Sequence, residues 1–365
     1  MSEEWDHWLE KKERRDSKNE RKLLKKHDRS QYKKTDRPKF EKSDDLHENI
    51  KGKKEDYIRG RIVAILSQGV EVNVDGKIYQ CQLRGLLKRD TSQDKNLIVV
   101  GDFVYFETTQ GTEGVIHHVE ARKSFLSRAD NLSRRKQQLI AANIDQVLIT
   151  VSVGLPALKP FLVDRYIIAA RKGNMEPVVV INKIDLLDQY PSEKELEQVF
   201  VDGLKKANIK VFEVSGESGL GLDALRDEMK DKASVFAGQS GVGKTSLINK
   251  ILNLDLRVGP ATEKTQKGAH TTTLARLISI PTGGLCIDTP GIRSFGIWNM
   301  TREEIRSYFP DIDQFKDKCR FPDCTHTQES GCAVIKAVEE DVLSPLRYES
   351  YIYLINSLDD KHARR

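Results

Sequence analysis

Cysteine is scarce in this chain, five in 365 residues, too few for a scaffold built on disulfides. Long apolar runs are missing as well: no stretch approaches the ~20 apolar residues of a membrane-spanning helix. The N-terminus has no apolar core of the signal-peptide kind and is too acidic for a typical organelle transit sequence. The chain is therefore expected in the cytoplasm, with no membrane partner. Nor is there a strong overall charge. The net value is only +5, so a surface for a polyanion must come from local clustering.

What the chain does have is unevenly spread. From Lys11 to Lys42 there are 15 Lys or Arg against 6 Asp or Glu, with few apolar residues between them. Such a segment buries too little surface to offset its ordering entropy, so residues 1–55 read as a mobile charged arm. It is either a solubilising tail or a phosphate-contacting element. Residues 56–125 carry five short strand-like runs: Tyr57–Leu66, Val70–Val74, Lys77–Leu83, Val99–Thr108 and Gly114–Val119. Asp75-Gly76 supplies a hairpin turn. Five strands in so short a span suit a β-barrel of the OB type that binds RNA; an SH3-like barrel or short sandwich is the alternative. Arg59, Arg61, Lys77, Arg84, Lys88 and Arg89 are either nucleic-acid contacts or ordinary solvated charges.

Residues 126–300 change character. Apolar runs at Gln146–Val151, Pro177–Ile181, Lys210–Val214, Ser234–Ala237 and Leu285–Ile287 alternate with helical patterns at Phe161–Lys172, Glu193–Ala207 and Leu222–Lys230. That alternation predicts a mostly parallel sheet with helices on both faces. Residues 301–365 open on a capping box, Thr301 with Glu304. A cysteine-rich loop and a helical stretch over Ala333–Leu358, broken near Pro345, follow.

Gly238-Gln239-Ser240-Gly241-Val242-Gly243-Lys244-Thr245 fits the phosphate-loop pattern between a strand and the helix Lys244–Leu252. Its backbone N–H groups and the helix N-terminus would cradle phosphates. Lys244 would reach the β- and γ-phosphates, and Thr245 would hold Mg²⁺. Asp288-Thr289-Pro290-Gly291 lies 43 residues beyond Thr245; Asp288 would position Mg²⁺ and Gly291 would meet the γ-phosphate. Asn182-Lys183-Ile184-Asp185 supplies a carboxylate that can accept two N–H bonds from guanine, which adenine cannot offer. Ser215-Gly216-Glu217 would back the base with N–H groups. Within Gly268–Thr273, Thr272, with Thr271 as fallback, is the candidate γ-phosphate sensor and Mg²⁺ ligand. Ile292 stands where many GTPases carry the glutamine that orients water, so unaided hydrolysis is expected to be slow; His270 is the candidate replacement.

Cys319-x4-Cys324-x-His326-x5-Cys332 offers three thiolates and an imidazole, a donor set for one closed, structural Zn²⁺. The alternative is a buried histidine among unrelated cysteines. Cys81 and Cys286 read as small core residues.

The order of these motifs, with both guanine stretches ahead of the phosphate loop, resembles the ribosome small subunit-dependent GTPase A (RsgA, or YjeQ) family over residues 56–355. The resemblance implies an OB barrel, a circularly permuted P-loop GTPase domain and a zinc-binding, mostly helical C-terminal domain. It also implies GTP hydrolysis stimulated by the small ribosomal subunit and a role late in that subunit's maturation. Carried over by position, guanine contacts fall on Asn182, Lys183 and Asp185, phosphate and Mg²⁺ contacts on Gly238 through Ser246, and zinc on Cys319, Cys324, His326 and Cys332. The long N-terminal arm and the S-G-E in place of S-A-K depart from the pattern. Expected partners are GTP or GDP and the small subunit with its rRNA, the chain itself acting as a monomer. The competing readings are a nucleotide-controlled RNA-binding scaffold with little turnover, or a factor for another ribosomal RNA particle.

Overall fold

The computed structural model describes residues 57–83, 98–129, 137–253, 275–288 and 300–363. The arm at 1–55, the basic residues Arg84, Lys88 and Arg89, and His270, Thr271, Thr272, Gly291 and Ile292 lie outside them. Asp288 is described as backbone only.

Strands β1 (Ile58–Leu66), β2 (Gly69–Val74), β3 (Lys77–Leu83), β4 (Phe103–Thr108) and β5 (Glu113–Val119) pair in the order β1-β2-β3-β5-β4 and back to β1. Every contact is antiparallel except β3 with β5. Period-2 alternation turns Ile62, Val70, Val72, Tyr79, Cys81, Val104, Phe106 and Ile116 into one core. The result is the closed five-stranded barrel expected, and closure leaves no free edge. Arg61 does not face outward as a candidate RNA contact. Its guanidinium donates to the Asn143 carbonyl and lies 5.1 Å from the Phe103 ring centroid.

Two strands were not legible in the sequence. β6 (Phe125–Ala129) and β7 (Gln137–Ala142) pair with each other, and polar residues at their outer ends mask any alternation. They stitch the barrel to the next layer: Val100 bridges Ala141, and the Phe125 N–H donates to the Gly173 carbonyl at 2.9 Å.

The α/β layer comprises β8 (Gln146–Ser152), β9 (Glu176–Asn182), β10 (Lys210–Glu213), β11 (Ala233–Ala237), β12 (Arg276–Ser279) and β13 (Leu285–Asp288), in the order β10-β9-β8-β11-β13-β12. All pairs are parallel except the last. Alternation again decides the packing. Val147, Ile149, Val179 and Val235 meet helices α1 (Pro160–Lys172) and α2 (Pro191–Lys206) on one face. Leu148, Val178, Val180 and Phe236 meet α3 (Leu222–Met229) and α4 (Lys244–Leu252) on the other. The chain leaves β8 toward one face and β11 toward the other. The C-terminal ends of these neighbouring strands therefore open a topological switch point, where doubly wound sheets bind ligands.

The C-terminal segment holds α5 (Arg302–Ser307), α6 (Pro310–Asp313), α7 (Ala333–Glu339) and α8 (Pro345–Ala363). Thr301 and Glu304 form the expected capping box, and the helical stretch breaks before Pro345 as predicted. This segment docks on α1 through Ile168 and a buried ionic triad. Arg347 donates to both Asp311 carboxylate oxygens at 2.9 Å and also to Asp164 of α1, over the Phe309 ring. Burial pushes the Arg347 guanidinium down to about 9 and the Asp311 carboxyl up to about 6. Arg347→Ala would strand two buried carboxylates, and the expected cost is about 3–5 kcal/mol. Denaturant unfolding reads that loss directly; a change below about 1 kcal/mol would contradict the assignment. No described helix is long and apolar enough to cross a membrane.

Candidate nucleotide site and metal centre

The sheet brings the separated motifs together at the switch point. β11 runs into Gly238, and Gly243 ends the loop at φ +90°, where a Cβ would come within 2.3 Å of Asn182 Nδ2. Only glycine fits there. α4 then begins at Lys244, whose ammonium donates to the carbonyls of Gly238 at 2.8 Å and Gln239 at 2.7 Å, holding it across the loop. Val242 is buried, while Gly241 and Thr245 are exposed at the mouth, with Ser246 half-buried behind them. Asp288 ends β13, whose Ile287 stands level with Val235 of β11, so the strand finishes just short of the loop.

Asn182 ends β9 and is buried. Its Nδ2 donates to the Val242 carbonyl at 2.8 Å, and its Oδ1 accepts from the Gly216 N–H at 2.9 Å. One side chain thus ties the phosphate loop to both guanine stretches. The Gly216 N–H, expected to face a base, is engaged here with Asn182. Ser215 Oγ accepts from the Glu217 and Ser218 N–H groups at 3.2 and 3.0 Å, which folds that turn. Lys183 sits in the left-handed region at φ +63°, strain that marks a backbone held by its surroundings. Its ammonium donates to the Leu155 carbonyl. Ile184 and Asp185 open the 3-10 turn Ile184–Gln189, with Ile184 half-buried and Asp185 exposed.

The four expected metal ligands converge. Their donor atoms lie within 4.8 Å of one another. His326 Nδ1 is 3.5 Å from the sulfurs of Cys319 and Cys332, which are 4.0 Å apart. A tetrahedral zinc with ordinary Zn–S and Zn–N bonds needs edges of about 3.8 Å between sulfurs and about 3.6 Å from sulfur to nitrogen. The cluster could hold such an ion. Burial pushes the Cys324 thiol up to about 12, raises Cys332 and lowers His326. Neutral imidazole suits ligation; the thiolates need a cation to offset their burial. Sequence reasoning missed Glu329. It accepts from Thr325 N–H and Oγ, Thr327 N–H and Gln328 N–H. Partial burial would raise its carboxyl, but these donors hold it down at about 2 and shape the loop around His326.

A closed barrel ahead of a doubly wound sheet, with a phosphate loop pinned to an N-K-x-D stretch, defines a P-loop GTPase. The model of the RsgA GTPase family matches residues 119–298 and that of the RsgA N-terminal domain residues 59–116. The small ribosomal subunit biogenesis GTPase RsgA of Chlorobaculum parvum is 41% identical over 278 residues, covering 74% of this chain and 88% of that protein. RsgA 1 of Vibrio vulnificus is 38% identical over 310 residues, covering 84% and 86%. The crystal structure of YjeQ from Thermotoga maritima superposes with TM-score 0.66 at 34% identity, over 83% of this chain and 98% of that one. That of YloQ, a circularly permuted GTPase, superposes with TM-score 0.66 at 28% identity, over 84% and 96%. The chain belongs to the RsgA GTPase family.

Proposed function

We propose that this GTPase acts in the cytoplasm as a monomer on the small (30S) ribosomal subunit, hydrolysing GTP to GDP and phosphate when the subunit engages it and assisting late maturation. The observation that carries the nucleotide half is the Asn182 strut, which fixes the phosphate loop and the guanine stretches in one crevice. In this reading Asp185 accepts from the guanine edge, and Lys183 and Ile184 flank the base. Ser215 and Gly216 hold the base loop and Asn182 in place. Gly238–Ser246 wraps the phosphates with Lys244 on the β- and γ-phosphates, and Gly291 meets the γ-phosphate. Thr245, Thr272 and Asp288 would hold Mg²⁺, which when bound neutralises charge on the transferred phosphoryl group. The Cys319, Cys324, His326 and Cys332 set would hold one structural Zn²⁺. His270 stands in for the glutamine that Ile292 replaces.

The domain limits we assign are 1–55, 56–125, 126–300 and 301–365, the barrel and zinc domain gripping rRNA on either side of the GTPase. The family names in the relatives support the small subunit as partner. The decisive experiment is GTP turnover with and without that particle.

A further inference from the structure

The connection from β8 to α1 was assigned no role by any motif, yet it is held at four points beside the nucleotide crevice. The Gly154 N–H donates to Glu193 Oε2 of α2 at 2.9 Å. Gly154, at φ +78°, lies so close to the Tyr190 ring that a Cβ would sit 3.0 Å from it. Ser152 Oγ donates to the Pro156 carbonyl at 2.9 Å. The Leu155 carbonyl accepts from the Lys183 ammonium. On its other side the connection borders the phosphate loop: a Cβ on Gly241 would lie 3.4 Å from Pro156 Cδ. Gly154–Pro156 therefore spans from the phosphate loop to the N-K-x-D stretch, along the side of the switch-point crevice formed where β8 and β11 part.

Lys183 is the one cation in the N-K-x-D stretch, and it sits on a strained backbone beside an exposed Asp185. Its head is placed by the Leu155 carbonyl, whose own position depends on the Glu193 carboxylate, ten residues after Lys183. We infer that Glu193 is a positioning residue for guanine-nucleotide binding, acting through Gly154–Pro156 to fix the Lys183 ammonium at the crevice. Glu193 touches no nucleotide itself. The chain of contacts is Glu193 carboxylate, Gly154 N–H, Leu155 carbonyl, Lys183 ammonium. Removing its first link leaves a buried N–H without an acceptor and frees the loop that holds Lys183. This inference rests on the reading of Asn182–Asp185 as the base-recognition stretch.

The test uses the full chain and a fluorescent GDP analogue. Glu193→Ala should weaken binding by roughly tenfold or more, the effect of losing one charge-assisted hydrogen bond. Glu193→Gln, whose amide oxygen still accepts from Gly154, should stay within about twofold of wild type, a rescue that bulk destabilisation would not give. Because Glu193 acts through Lys183, the double variant with Lys183→Ala should bind no more weakly than Lys183→Ala alone. Lys194→Ala, on the next residue and paired with Asp188 instead, should bind as wild type. A thermal melt run alongside checks folding. Should Glu193→Ala not fold, Glu193→Asp, one methylene too short to reach Gly154, replaces it in the comparison. Unchanged affinity in Glu193→Ala, equal weakness in Glu193→Gln, or losses that multiply in the double variant would each overturn the inference alone. A wild-type chain without affinity for guanine nucleotides would overturn the nucleotide-site reading and this inference with it.

Discussion

Asp185→Asn should exchange guanine for xanthine. In the proposed site its carboxylate would accept two N–H bonds from the guanine edge. An asparagine amide turns one of those acceptors into a donor, which then faces the exocyclic amine of the base. Xanthine carries a carbonyl at that position and accepts the new donor. Losing two charge-assisted bonds and gaining a donor–donor clash is expected to weaken GTP binding by at least ~100-fold, with measurable XTP binding in its place. Asp185 is exposed and is not part of the Asn182 strut, so the substitution should leave the crevice folded. Titration of both nucleotides against wild type and variant checks this; a variant that keeps GTP and rejects XTP would remove Asp185 from the base site. Lys244→Ala makes a poorer test, because Lys244 also braces its own loop through Gly238 and Gln239.

Removing metal should have the second large effect. The segment carrying Cys319, Cys324, His326 and Cys332 is described mostly as turns and bends, with Phe321 exposed. Structural zinc contributes on the order of 10 kcal/mol in small modules of this kind. Part of that loss is cushioned here by the core of Phe309, Val334, Tyr351 and Leu354. Purified protein should carry one zinc per chain by elemental analysis. Stripping it, or making Cys324→Ser with Cys332→Ser, should open residues 319–332 to protease and lower the melting temperature of the C-terminal segment. GDP affinity should change little, since among the described residues the hydrogen bonds of the four ligands stay within the C-terminal segment. A metal-free preparation with the same protease pattern would contradict the assignment.

Much of this was legible in the chain because the relevant physics is local. The phosphate loop reads from glycine spacing, the two sheet faces from alternation in β8, β9 and β11, and the ligand set from cysteine and histidine chemistry. Thr301 and Glu304 announced a helix start that the structure places as expected. What was not legible depends on contacts between distant residues. No spacing rule shows that Arg347 would bind Asp164, 183 positions away. None shows that the Gly216 N–H would go to Asn182 or that Arg61 would turn to Asn143. Nothing in the sequence sets Glu329 apart from the polar loop around it, yet four donors converge on it. The β6–β7 pair escaped because its polar ends hide the alternation, although Leu126 and Ala141 are buried in the core.

The triad also bears on any coupling between the nucleotide crevice and the C-terminal segment. A short covalent path from the Asp288 region suggests direct coupling. Yet Asp164–Arg347–Asp311 and the Arg171 bond to the Tyr308 carbonyl at 2.7 Å anchor that segment on α1. Any change transmitted from the crevice must therefore move α1 as well, or break a buried ion pair.

The most direct test of the whole account is steady-state GTP hydrolysis by the full chain with purified small subunits, with purified large subunits, and with neither. The proposed role predicts slow turnover alone, strong stimulation by small subunits and little by large ones. Stimulation by large subunits only, or none by either, would contradict it.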